Sequence, residues 1–175
     1  MKTVIKISLC LLFVKPFCFA QWVQTNGPSG TDFTSIYDLA FSDNNVFAAT
    51  SDTGVFRSTD NGNNWTPVNN GLPTTTYIQS INILGTDVFA TTGVGVFLST
   101  DFGASWNPRN NGLPSTPIVC FAASGGNILI GTQGYGIYVS SNYGINWNAS
   151  NNGLPVGSAI SALTSSGSLL FACVW

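Results

Sequence analysis

The chain has 175 residues, 44% of them hydrophobic and only 7% charged, and beyond residue 20 it holds seven Asp, two Arg and no Glu, Lys or His. The two arginines less the seven aspartates leave that stretch at −5, so it has no basic stripe to neutralise phosphates, and nucleic acid is not expected as a partner. Neutral, polar and aromatic surface of this kind suits a carbohydrate or a protein ligand.

Lys2 and Lys6 flank the start of a short apolar run, Ile7 to Val14, and the chain reaches Ala20 just before Gln21. This is the pattern of a secretory leader over 1–20. The run is too short to span a bilayer as a helix, and no later stretch approaches a span. A secreted, extracellular or cell-surface protein is expected, or a periplasmic one, with no membrane span after cleavage. An uncleaved anchor is the alternative, because Lys15 and Pro16 crowd the run. Cys10 and Cys18 belong to the leader. Cys120 and Cys173 remain, either as one disulfide or as two free thiols.

Residues 21–32 read as a ring-closing N-terminal strand, the outer strand of a blade, and a linker, with Gln21-Trp22-Val23-Gln24 followed by Gly27-Pro28. From there a repeat organises the chain. Ser58-Thr59-Asp60-Asn61-Gly62-Asn63-Asn64-Trp65 recurs as Ser99-Thr100-Asp101-Phe102-Gly103-Ala104-Ser105-Trp106 and as Ser140-Ser141-Asn142-Tyr143-Gly144-Ile145-Asn146-Trp147, each 41 residues after the last. Asn-Asn-Gly-Leu-Pro, ending at Pro73, Pro114 and Pro155, keeps the same interval. Two motifs locked in phase mark a repeat architecture.

Each repeat carries short β-branched and aromatic runs bounded by glycine, such as 77–83, 88–92, 96–100 and 106–110, and no helical period appears after the leader. Four short antiparallel strands per repeat of this length predict the blade of a β-propeller. The expected divisions are 33–73, 74–114 and 115–155 as three blades, and 156–175 as the first half of a fourth. An all-β, partial propeller of about three and a half blades is therefore expected, as a fragment of a larger ring.

The box spacing has a local physical cause. An Asp at the start of a tight turn accepts backbone N–H groups a few residues on, and Gly two positions later takes a positive φ without steric cost. Ser58, Asp60, Gly62 and Trp65, with Ser99, Asp101, Gly103 and Trp106, and Ser140, Asn142, Gly144 and Trp147, are thus read as structural. Asn142 accepts like a carboxylate, without the charge. The tryptophans are expected to cover their own turns. Gly54, Gly95 and Gly136, also 41 apart, are read as turn glycines.

The pattern Ser-x-Asp-x-Gly-x-x-Trp resembles the Asp-box, or bacterial neuraminidase repeat. It is similar to the repeats of sialidase-like, sortilin-type and photosystem-assembly-factor-like propellers. The resemblance implies boxes on the outer rim, away from any ligand. It also implies two alternative functions. The first is a non-catalytic binding or scaffold module forming the N-terminal part of a larger secreted protein. The second is a fragment of a secreted glycoside hydrolase, xyloglucanase-like or sialidase-like. The sialidase site needs three Arg and a Glu, which residues 21–175 do not supply. Hydrolysis by a carboxylate pair would need two suitably spaced acids, and no catalytic constellation, metal cluster or cofactor motif is recognisable. Asp38, at an inner-strand position whose counterparts by spacing are Gln79 and Cys120, is the acid that stands out.

The loops at 69–76 and 110–117 are expected to share one face with the hairpins between second and third strands. Asp52, Thr92, Gln133 and Tyr135 would lie on that face, as the usual ligand-binding side of a propeller. Pairing of open edge strands with another copy is the further expectation if the chain is this short.

Overall fold

The computed structural model describes residues 5–8, 21–24, 27–28, 35–74, 77–167 and 169–175. Ile5–Ser8 (β1) pairs antiparallel with Gln21–Gln24 (β2), so the strand expected to close the ring at 21–24 pairs instead inside the segment read as a leader, in a two-stranded sheet separate from the blades. The rest of that leader lies outside the described residues.

Three four-stranded antiparallel sheets follow. The first is Ile36–Ser42 (β3), Asn45–Thr50 (β4), Val55–Ser58 (β5) and Thr66–Pro67 (β6). The second is Ile78–Leu84 (β7), Asp87–Thr92 (β8), Gly95–Ser99 (β9) and Asn107–Pro108 (β10). The third is Ile118–Ser124 (β11), Asn127–Thr132 (β12), Ile137–Ser140 (β13) and Asn148–Ala149 (β14). Ile160–Ser166 (β15) and Leu169–Val174 (β16) form a two-stranded sheet. In each sheet neighbours in sequence are neighbours in space. The fold is an all-β partial propeller: among the described residues, three blades and half of a fourth.

The second strand of each blade is buried on both sides, which is why β4, β8 and β12 read as unbroken apolar runs rather than alternating ones. Successive residues of these strands face opposite neighbours. Phe47 meets the next blade in a cluster with Ile81, Val88, Ala90 and Phe97. Phe89 repeats the contact one blade on, with Phe121, Ile128 and Ile130, its ring centroid 5.5 Å from that of Phe121. Both phenylalanines are fully buried, each worth about 1.5–3 kcal/mol of transfer free energy.

The strict 41-residue box interval conceals a shift. The inner strands carry a bulge after Ile36, Ile78, Ile118 and Ile160, and these positions fall 42, 40 and 42 apart. The loop leading into β7 is one residue longer than the loop leading into β11, and the β8–β9 hairpin, closed from Thr92 to Gly95, is one residue shorter than the β12–β13 hairpin, closed from Thr132 to Gly136. The two changes cancel before the next box. Asp38 therefore corresponds in register to Ser80, Cys120 and Ala162. The Gln79 counterpart expected from spacing is corrected, since spacing registers only the sum of the two loop lengths.

Candidate binding face

The three box turns share one hydrogen-bond scheme. Ser58 Oγ accepts from Gly62 N (2.8 Å) and donates to Asp60 Oδ1 (2.9 Å), which also accepts from Asn64 N (2.8 Å). Ser99, Gly103, Asp101 and Ser105 repeat the scheme at 2.7–2.8 Å. Ser140, Gly144, Asn142 and Asn146 repeat it at 2.8–2.9 Å. The residue before each glycine, Asn61, Phe102 or Tyr143, is also left-handed, with φ of 56–59°. Two of these strained positions carry rings that pack on the preceding blade. Phe102 joins the first core cluster, and Tyr143 stands 6.3 Å from Phe89 between ring centroids.

Backbone and side-chain donors hold the Asp60 and Asp101 carboxyls low, at about 2. Asn64 N–H is the largest cause for Asp60 and the Ser105 hydroxyl for Asp101. A carboxyl lowered on folding adds stability that is complete above its unfolded value of 3.8 and is lost as pH falls through about 2. The urea midpoint is therefore expected to fall as pH drops from 3.8 to about 2. The double variant Asp60→Asn, Asp101→Asn should flatten that dependence, because Asn142 already closes the third turn without a titrating group. An unchanged slope in the double variant would contradict this account.

The tryptophans do more than the expectation says. The Trp147 ring lies on its own turn, 3.4 Å from where a Cβ on Gly144 would stand, but Trp106 and Trp147, each 3% exposed, also reach beyond their turns. Trp106 Nε1 donates to Val68 O and Trp147 Nε1 to Arg109 O, both at 2.8 Å and both in the preceding blade. Their backbone N–H groups bond Asn70 O and Asn111 O in the same blades, at 2.9 Å. Trp65 alone bonds its own turn, at Gly62 O (3.1 Å).

Asn-Asn-Gly-Leu-Pro is thus a docking element whose parts the sequence did not disclose. Its first Asn caps the third strand of its own blade: Asn69, Asn110 and Asn151 Oδ1 accept from Val55, Val96 and Ile137 N at 2.7–2.8 Å. Its second Asn offers a carbonyl to the next tryptophan, and Gly71 or Gly112 lets the two backbones close. Gly54, Gly95 and Gly136 have a second requirement besides their positive φ. A Cβ there would overlap the amides of Asn69, Asn110 and Asn151.

The two side chains with the most evident chemistry are committed to structure. Asp38 Oδ2 accepts from Ser80 Oγ and Ile81 N on the next inner strand, each at 2.9 Å. Arg57 bonds Asn45 Oδ1 at 2.8 and 3.0 Å and lies over the Phe102 ring, 5.3 Å from its centroid. Cys120 and Cys173 are free thiols. Cys120 Sγ donates to Ile160 O at 3.7 Å, and burial pushes its thiol up to about 11, so it is protonated at neutral pH.

The loops named from sequence do share a face, yet they do not gather into one site. Asp52, Thr53 and Gly54 line a 100 Å³ hollow with Asn69, Leu72 and Thr74. Thr92 is corrected: it is fully buried, and its hydroxyl closes the hairpin on Gly95 O at 2.9 Å, as Thr50 does on Gly54 O and Thr132 on Gly136 O. Tyr135 is exposed, its carbonyl held by Asn151 Nδ2 at 3.0 Å, and it lines neither hollow. Gln133 lines a larger cleft of 550 Å³ between blades 2 and 3 and β15, with Gln79, Val119, Ile160, Ser161 and Trp175. Trp175, 91% exposed, is anchored through its own N–H to Ala159 O at 3.0 Å. The cleft lining offers amides, a hydroxyl and an indole, and none of its residues is acidic or basic.

A family model described as the DUF6242 beta propeller domain matches residues 20–168. No curated protein matches the chain significantly. Among solved structures it is similar to the extracellular domain of a hybrid two component system from B. thetaiotaomicron, at 16% identity and TM-score 0.71, over 89% of this chain and 21% of that one. It is similar to YCF48 bound to D1 peptide, at 16% identity and TM-score 0.65, over 89% and 53%. The GH74 enzyme of Niastella koreensis is similar at 21% identity and TM-score 0.62, over 79% and 26%. The chain spans about half of one of these proteins and about a quarter or less of the other two. At such identities the likeness is one of fold.

Proposed function

We propose, from the premise that the chain belongs to the DUF6242 β-propeller domain family, that it is a non-catalytic binding domain acting outside the cell. Its ligand is a neutral oligosaccharide seated in the cleft beside Trp175. The observation that carries this reading is the cleft itself: 550 Å³, open on the face where loops cluster, with an exposed indole plane next to Gln79, Gln133 and Ser161. An aromatic plane supplies apolar contact to a sugar ring, while amides and a hydroxyl satisfy its hydroxyl groups without charge. The Asp-box reading of the turns supports the assignment, since it leaves the boxes as folding devices on the rim and the loop face for the ligand. An extracellular place fits the leader-like start, and one similar structure is described as an extracellular domain.

Titration with neutral xyloglucan oligosaccharides, followed by tryptophan fluorescence and calorimetry, tests the reading. Binding in the wild type and a loss of at least about tenfold in Trp175→Ala are expected, in line with removing a stacked aromatic anchor. No binding across a panel of neutral oligosaccharides would defeat the proposal. Release of new reducing ends would replace it with the glycoside hydrolase alternative.

A further inference from the structure

Blades 1 and 2 meet around a ring capped by a cation, and blades 2 and 3 meet around the equivalent ring left uncapped. In the first case the ring is Phe102, which is half-buried. The Arg57 guanidinium lies 5.3 Å from its centroid and donates to Asn45 Oδ1 at 2.8 and 3.0 Å. Register places the same parts one blade on. Arg57 stands opposite Phe47 as Leu98 stands opposite Phe89, and Asn45 stands opposite Ser42 as Asp87 stands opposite Leu84. At the second junction the ring is therefore Tyr143, 6.3 Å from Phe89 between centroids, with Asp87 in the place of Asn45 and Leu98 in the place of Arg57. Among the described residues Arg57 makes the ring–cation contacts, and Arg109 runs instead against Gly144. Tyr143 is left 50% exposed.

Beside Tyr143 lies a hollow of 290 Å³, walled by Leu84 and Gly85 of blade 2 and by Gly125, Gly126 and Ile128 of blade 3. The three glycines have nothing within 4 Å of where a Cβ would stand, so the hollow is roomy as well as apolar. Asp87 is paired directly with Leu84 across the β7–β8 ladder, which puts the two side chains on one face of the sheet about 5 Å apart at Cβ. Its carboxyl is half-buried, and among the described residues it has no hydrogen-bond donor, whereas Asp38, Asp60 and Asp101 are all satisfied. We infer that this hollow is a separate binding site that takes an arginine side chain of a partner protein, its guanidinium over the Tyr143 ring and paired with the Asp87 carboxylate. The chemistry of the occupant is read from the chain itself, since Arg57 fills the equivalent place one blade earlier. A carboxylate where blade 1 has an amide supplies the charge that draws a cation from outside. Guanidinium suits the place better than ammonium, because a planar cation lies flat on a ring while donating in its own plane to a carboxylate. The site lies at the β7–β8 and β11–β12 hairpins, the opposite end of the blades from the Trp175 cleft, and is independent of sugar binding there.

NMR titration of the 175-residue chain with the peptide acetyl-Gly-Arg-Gly-amide, and with its citrulline counterpart, tests the site. Saturable shifts at Tyr143 and Asp87 are expected with the arginine peptide, with a Kd on the order of 1 mM. The citrulline peptide keeps the shape without the charge and should give none. Asp87→Asn and Tyr143→Asn should each raise the Kd at least about threefold. Both variants introduce residues that the repeat already carries, because blades 1 and 3 have Asn45 and Asn127 at the first position and the first box has Asn61 at the second. An unchanged thermal midpoint shows that each is folded. Absence of a saturable shift, equal binding of the citrulline peptide, or folded variants that bind like wild type would overturn the inference.

Discussion

Trp106→Ala is expected to lower the unfolding free energy by about 3–5 kcal/mol, the usual cost of emptying a large aromatic site that the surroundings cannot refill. The indole is 3% exposed, sits in the cluster joining blades 1 and 2, and donates Nε1–H to Val68 O. Truncation therefore opens a cavity and also leaves a half-buried carbonyl short of a partner. Trp65→Ala is the matched control. That indole is only half-buried and bonds its own turn at Gly62 O, so its loss should cost about 1 kcal/mol, the net worth of a hydrogen bond. Urea unfolding of the two variants measures the difference. Equal losses would mean that the tryptophans act within their own blades after all.

A second pair of variants separates backbone strain from blade docking. Gly112 and Gly153 occupy the same place in successive Asn-Asn-Gly-Leu-Pro motifs, with φ of 90° and 87°. An Ala at either site must take a left-handed backbone, at about 1 kcal/mol. At Gly112 the new Cβ would also overlap the carbonyl oxygen of Trp147, whereas at Gly153 it would meet nothing within 4 Å. The obstacle is backbone held by Trp147 N–H to Asn111 O at 2.9 Å, so it cannot swing aside as a side chain would. Gly112→Ala should cost about 3 kcal/mol or more, and Gly153→Ala about 1. Thermal denaturation distinguishes them. Similar losses would assign the whole requirement to φ.

These residues also show where sequence reading stops. The box turns were legible because their hydrogen bonds close within four residues, Ser58 to Gly62 and Asp60 to Asn64. The blade docking was not, because Trp106 reaches a carbonyl 38 residues earlier, and nothing local distinguishes a ring that covers its own turn from one that covers a neighbour's. Asn69 gave no signal for a similar reason: its amide bonds Val55 N across 14 residues. Thr92 looked like a loop residue since it ends a strand before glycine, but its hydroxyl closes the hairpin from inside. The cleft beside Trp175 combines five separate segments of the chain, and no single stretch of sequence hints at it.

The cancelling loop lengths limit how this chain can be recombined. A cassette exchanged from box to box carries both the longer lead-in loop and the shorter hairpin, and it arrives with its inner strand in register. A cassette cut between the lead-in loop and the β8–β9 hairpin would bring one change without the other. Its bulge at Ile78 or Ile118 would then face the wrong partner, and a slip of one residue turns an inner strand's apolar side outward. Duplication of such an array is therefore conservative at the tryptophan turns and disruptive inside the blades.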